Sequence, residues 1–233
     1  MSDKHLSTQF DSDLTNISTR TMEMGGLVES EIRQAILSLT QLSAEQAEKV
    51  FVIEQQVNAM EMDIDREITA IISRRQPAAR DLRLLMAISK TIANLERAGD
   101  EANKIAKMVK SIVAHGNVRK LPCSDLYTAA NMAVGLLNKS LDAFARLDTT
   151  MAVAILKEDD LIDQEFDGFL RKLVTYMMED PRTISASLDL VFLAKAIERI
   201  GDHAKNIAEF VIYIVKGDDV RHSPIERIES SIG

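Results

Sequence analysis

Glu96-Arg97-Ala98-Gly99-Asp100-Glu101-Ala102-Asn103-Lys104-Ile105-Ala106 returns later in the chain as Glu198-Arg199-Ile200-Gly201-Asp202-His203-Ala204-Lys205-Asn206-Ile207-Ala208. Seven of the eleven positions are identical, at an offset of 198 − 96 = 102 residues, which marks a duplicated unit. Around it the apolar residues keep helical spacing. Ile88, Ile92, Leu95, Gly99, Ala102 and Ala106 fall at alternating steps of four and three, and Leu190, Ala194, Ile197, Gly201, Ala204 and Ala208 repeat the pattern. Such a stripe is the buried seam of an antiparallel helix bundle, and its glycines and alanines let a neighbour approach closely.

Working outward, each half holds three helical stretches. In the first they run Asn16–Gln41, Ala44–Arg74 and Ala79–Val113; in the second, Asp125–Leu147, Thr149–Met178 and Thr183–Lys216. Pro77 and Pro181 precede the third helix of each half, where proline helps a helix start. Ser43 with Gln46 resembles a capping box, and Gly217 after Lys216 suits a C-cap. His115 to Pro122 breaks the pattern as a linker. The expected fold is all-α: a tandem pair of pseudo-symmetric three-helix bundles, six helices in all. Their bounds are 1–114 for the first bundle, 115–124 for the linker, 125–217 for the second and 218–233 for a polar C-terminal tail.

Composition agrees. Aromatics are 4% of the 233 residues and Trp is absent, while glycine (9) and proline (4) are scarce, as in a helical protein. A formal net charge of −8 makes nucleic acid a poor partner, since phosphate neutralisation needs clustered cations. Cys123 is the single cysteine, which excludes a disulfide framework and a cysteine zinc site. No apolar run reaches the roughly 18 residues that span a bilayer. The N-terminal stretch Ser2 to Ser12 lacks the apolar core of a signal peptide, so the expected location is cytoplasmic.

The candidate chemistry lies in carboxylates. Glu96 and Asp100, four apart, project to one side of their helix at the edge of the seam, and Glu198 and Asp202 repeat them. On each middle helix Glu61 with Asp65, and Asp163 with Asp167, are also four apart and 102 residues from each other. Counting back from Pro77 and Pro181 places these acids level with the pairs on the third helices. Carboxylates meeting at one level repel, and a bound cation or raised pKa values relieve that. All-oxygen sites suit Mg²⁺ or Mn²⁺, and carboxylate clusters also hold iron or zinc. The plainer alternative is solvated helix faces with Arg97 and Arg199 as salt-bridge partners. Catalytic signatures are missing: no Glu-x-x-His, P-loop, GxSxG or HExxH occurs. His203 has Glu101 at its place in the first repeat and reads as a surface histidine. A non-enzyme is therefore expected. A metal-dependent carboxylate-cluster enzyme or a metal-free helical scaffold remain as alternatives.

The duplicated ERxGDxAxxIA, the turn Gln76 to Arg83, the stretch Leu141 to Asp148 and the ending Lys216 to His222 together resemble the PhoU family. That resemblance covers essentially the whole chain. It implies two three-helix bundles, usually a homodimer, working at the inner face of the cytoplasmic membrane. It implies negative regulation of the phosphate-starvation response, as an adaptor between the ATPase subunit of the phosphate ABC transporter and a phosphate-sensing histidine kinase. Membrane association then comes only through these partners. It also implies a metal (Zn, Fe, Mg or Mn) on Glu96, Asp100, Glu198 and Asp202, and less directly on Glu61, Asp65, Asp163 and Asp167. Asp81, Arg83 and Arg146 become candidate partner contacts. Lys104 stands where the second repeat has Asn206, so the second site is expected to bind metal more readily.

Overall fold

The computed structural model describes residues 8–77, 79–114 and 124–232. Six long helices follow the expected order: α1 (Thr8–Gln41), α2 (Ala44–Arg75), α3 (Ala79–Ala114), α4 (Ser124–Arg146), α5 (Thr149–Glu179) and α6 (Ile184–Lys216). A short α7 (Ile225–Ile232) ends the chain, and a 3-10 turn at Pro181–Thr183 leads into α6. The expected linker lies outside the described residues except for Ser124, which opens α4. Helix α1 starts earlier than Asn16 because Phe10, Leu14 and Ile17 carry its buried stripe further. The segment expected to be a polar tail is partly folded: Val220 and Ile228 are buried, and α7 packs on α5.

Helices α1, α2 and α3 pack on one another, as do α4, α5 and α6, and the two bundles meet through α3 against α6 and α1 against α4. All twelve seam residues are buried. Each fully buried Leu or Ile of that seam contributes about 1.5–3 kcal/mol relative to exposure. At the second contact, Leu141 Cδ2 lies 2.6 Å from where a Cβ on Gly25 would sit, so α4 seats a leucine directly on the α1 backbone.

The turns between the first two helices of each bundle are the same object. Leu42 (φ 47°) and Leu147 (φ 53°) adopt the left-handed conformation. Ser43 N–H then bonds to Ser38 and Asp148 N–H to Ala143, at 3.0 and 2.9 Å. The next helix is capped by Ser43 Oγ accepting from Gln46 N–H and by Asp148 Oδ1 accepting from Met151 N–H. The Gln46 carboxamide accepts from Gln34 and Lys49 instead of returning to Ser43, so only half of the expected capping box forms.

Candidate functional site

Those turns correct the register of the middle helices. Leu42 matches Leu147 at 147 − 42 = 105 residues, whereas Gly99 matches Gly201 at 102. The second repeat runs from α5 through Asp180 straight to Pro181, without a counterpart of Gln76 to Ala78, and loses three residues there. On α2 and α5 the true partners are therefore Glu54 with Asp159 and Asn58 with Asp163. Glu61 and Asp65 match Phe166 and Leu170, not acids. The glycines confirm this: a Cβ on Gly99 would lie 3.2 Å from Glu54 Oε2, and one on Gly201 would lie 3.3 Å from Asp159 Oδ1.

In the first repeat the acids gather around Gly99. Glu31 of α1 is fully buried, with Oε2 2.7 Å from the Gly99 Cβ position, and Glu54 of α2 is buried beside it. Glu31 and Glu54 share a side-chain hydrogen bond and no nitrogen donor reaches the Glu31 oxygens or Glu54 Oε2, nor the amide oxygens of Asn58 and Asn103. Burial, then a hydrogen bond to Glu54 and the Glu54 charge, then Asp100 and Glu96 push the Glu31 pKa up to about 10. Glu31 thus holds its proton at neutral pH. Glu96, half-buried, is raised by burial and then by Asp100, Glu61 and Glu54. Glu61 therefore does reach this group. Asp65 does not: it is exposed and accepts from Ser89 at 3.5 Å. Among the described residues no Lys or Arg pairs with Glu31, Glu54, Glu61, Glu96 or Asp100.

The second repeat treats its charge differently. Asp159 is buried, but Lys205 donates to it at 2.8 Å, and Lys195 donates to Glu198 at 2.7 Å. Burial, then Glu198, Asp159 and Asp163, raise Asp202 to about 6. Partial burial of its carboxyl, then the charges of Asp159 and Glu198, raise Asp163. Asp167 is exposed. Leu136 stands where the first repeat has Glu31 (136 − 31 = 105) and is buried.

Between the bundles His203 is buried, which corrects the surface reading. Its Nδ1–H donates to Asn94 Oδ1 at 3.1 Å, Asn206 donates to the same oxygen at 3.0 Å, and Nε2 has no partner. Burial, then Arg199, Arg97 and Lys104, lower it to about 4. Its counterpart Glu101 is also buried and pairs with Lys104 at 2.9 Å and, across the junction, with Arg199 at 3.2 Å. Lys104 and Asn206, the positions expected to rank the two metal sites, thus face the bundle junction.

Of the partner-contact candidates, Arg146 is exposed and pairs with Asp142 at 2.7 Å. Asp81 and Arg83 are half-buried, and Arg83 lies against Gly217, the αL cap of α6, with its Nε buried and unpaired. Ile184, Leu188 and Phe192 form an exposed apolar stripe on α6, with Met178 exposed at the end of α5.

Among the described residues no three His, Cys, Asp or Glu side chains form a ready-made metal cage. In the first repeat carboxyl and amide oxygens of Glu31, Glu54, Asn58 and Asn103 are buried without a nitrogen donor. Sequence reasoning missed Glu31, Glu54 and Asp159. The signal was present: each occupies a position of its helix's apolar stripe, as Glu31 does between Val28 and Ile32, Ala35.

A family model described as the PhoU domain matches residues 21–109 and again 126–211. The chain is 50% identical over 229 residues to a phosphate-specific transport system accessory protein PhoU homolog of Burkholderia sp, covering 98% of this chain and 97% of that protein. It is 45% identical to phosphate-specific transport system accessory protein PhoU of Escherichia coli (strain K12), covering 94% of this chain and 90% of that one. The crystal structure of PhoU from Pseudomonas aeruginosa matches with a TM-score of 0.86 at 41% identity, covering 90% of this chain and 100% of that one. The Streptococcus pneumoniae phosphate transport system regulatory protein PhoU matches at 0.84 and 25% identity, covering 91% and 99%.

Proposed function

Because the chain belongs to the PhoU family, we propose that it is a cytoplasmic accessory protein of phosphate uptake and a negative regulator of the phosphate-starvation response. The observation that carries this reading is likeness along nearly the full length of both proteins to relatives named for that role. No described helix is long and apolar enough to cross a membrane, so contact with a transporter comes through protein surfaces. The protein acts by binding one conformer of the transporter ATPase subunit and the inhibitory state of the sensor kinase, and so shifts both populations. The stripe of Ile184, Leu188 and Phe192 supplies apolar area for such a partner or for a second copy in a homodimer. Asp81, Arg83 and Arg146 supply polar contacts elsewhere, Arg83 at the Gly217 end of α6 away from that stripe.

The carboxylates hold a cation in this reading. Glu54, Glu96 and Asp100, with Glu61 behind them, would hold it in the first repeat, and Asp163, Glu198 and Asp202 in the second. The oxygen-only set favours Mg²⁺ or Mn²⁺ over zinc or iron. When bound, the ion cancels carboxylate repulsion and fixes the helix faces. Deleting the gene should derepress phosphate-scavenging genes in phosphate-rich medium, and the wild-type copy should restore silence. Unchanged expression in the deletion strain sinks the regulatory reading. Pull-down against the ATPase subunit and the kinase tests the adaptor role directly.

A further inference from the structure

We infer that the free end of the α5–α6 hairpin seats a short, acidic amphipathic helix from a protein partner. This rests on the adaptor reading above and gives it a surface. Val174 and Met178 on α5, with Ile184, Leu188 and Phe192 on α6, are between 44% and 78% exposed. Steps of four keep each set on one side of its helix. The two helices run antiparallel, since Lys205 meets Asp159 while Lys195 lies over the Phe166 ring. From that ring Val174 and Met178 follow on α5, and from Lys195 the α6 stripe runs back toward the same turn. Both sets therefore wall the outer groove between α5 and α6. The first repeat does not build it. At the α5 offset of 105, Val174 and Met178 match Thr69 and Ser73. At the α6 offset of 102, Phe192 matches Lys90, which lies over Phe210 and Tyr213 at the bundle junction. Ile184 and Leu188 match Leu82 and Met86, which lack an apolar wall opposite them.

The size of the patch and the chain's own example decide the occupant. The five side chains expose on the order of 500 Å² of apolar surface, a size associated with binding on a monomer. Doubled across a two-fold axis, that only just reaches the roughly 1,000 Å² needed by a stable pair of copies. A groove between two helices instead takes a third helix whose apolar residues recur at three and four. Helix α7 shows the chemistry on the other half of α5. It packs there with Ile228 buried, Ile225 against the core and Glu229 paired with Lys157 at 2.5 Å. Arg171 follows Lys157 at 171 − 157 = 14 residues, nearly four whole turns, and so stands on the same side of α5. Among the described residues no carboxylate pairs with Arg171. An incoming helix with a carboxylate beside its apolar stripe fills the groove and answers Arg171, as α7 answers Lys157.

The test titrates the full chain against the purified ATPase subunit of the phosphate transporter and the cytoplasmic part of the sensor kinase. Leu188→Glu and Phe192→Glu should lower affinity for one of them by about tenfold or more, with Tm unchanged. Phe192→Ser repeats the measurement where a charge lowers Tm. Arg171→Glu should lower affinity by about threefold, and Met86→Glu, the matched change in the first repeat, should leave it intact. A photo-cross-linking residue in place of Phe192 should capture a helical segment with Asp or Glu beside its apolar face. Wild-type capture that survives Leu188→Glu and Phe192→Glu overturns the surface and leaves the adaptor reading standing. An equal loss in Met86→Glu does the same. A cross-link to a second copy, with sedimentation shifting from dimer to monomer in Phe192→Glu, assigns the groove to self-association and overturns the inference. A captured segment without acids overturns its stated chemistry. Capture of neither protein by wild type overturns the adaptor reading as well.

Discussion

The two repeats share one helix plan and part company over buried charge. In the second, a lysine three residues after the duplicated Gly-Asp closes on Asp159, and a leucine fills the place of a third acid. In the first, Glu31 and Glu54 face each other under Gly99 with no ammonium nearby. Duplication copied the backbone faithfully and left the electrostatics free to diverge, because packing tolerates few changes of volume and surface-connected charge tolerates many.

The largest way to break this comparison is Lys205→Ala, which strands Asp159 in the interior. It should cost about 3 kcal/mol in urea unfolding, whereas Asn103→Ala should cost under about 1 kcal/mol. Equal losses would mean that Lys205 does not compensate a buried charge. Next comes Glu31→Leu, which places there the residue that the other repeat uses but removes the hydrogen bond to buried Glu54, and is expected to cost about 1–3 kcal/mol in urea unfolding. The same acid predicts a pH signature. Folded Glu31 titrates near about 10 against an ordinary 4.5, so the unfolded chain ionises first. Stability held below pH 4.5 therefore drains as pH rises toward 10, and Glu31→Gln should flatten that slope. His203 works the other way. Lowered to about 4 from 6.5, it stays neutral while the unfolded chain takes up a proton, so stability falls as pH drops from 6.5 to 4, and His203→Gln should remove that loss. The smallest effect is Arg146→Ala, which breaks one exposed ion pair and should change stability by no more than about 0.5 kcal/mol. A weakened pull-down in that variant would mark Arg146 as a partner contact.

The fold was largely legible because helical spacing is local. The seam from Ile88 to Ala106 and its copy from Leu190 to Ala208 needed nothing beyond a 3.6-residue period. The short α7 was not, since its buried Ile228 matters only once α5 is there to receive the helix. At the site, Glu96, Asp100, Glu198 and Asp202 were found where the duplicated run placed them. The third helix's offset does not carry over to the middle-helix acids, because the three-residue difference at the Pro77 turn shifts them by nearly a turn of helix. Glu31 lay on the first helix, outside any duplicated pattern, and could be noticed only as a charge on an apolar stripe.

By itself the sequence determined the duplication, the helix count of the two bundles, the buried seam and the family, because each follows from short-range periodicity or from identity along the chain. The tertiary structure decided which acids meet, which lysine answers which carboxylate and that His203 is interior. Those depend on register between helices that are distant in sequence, where three residues in one turn change every facing pair.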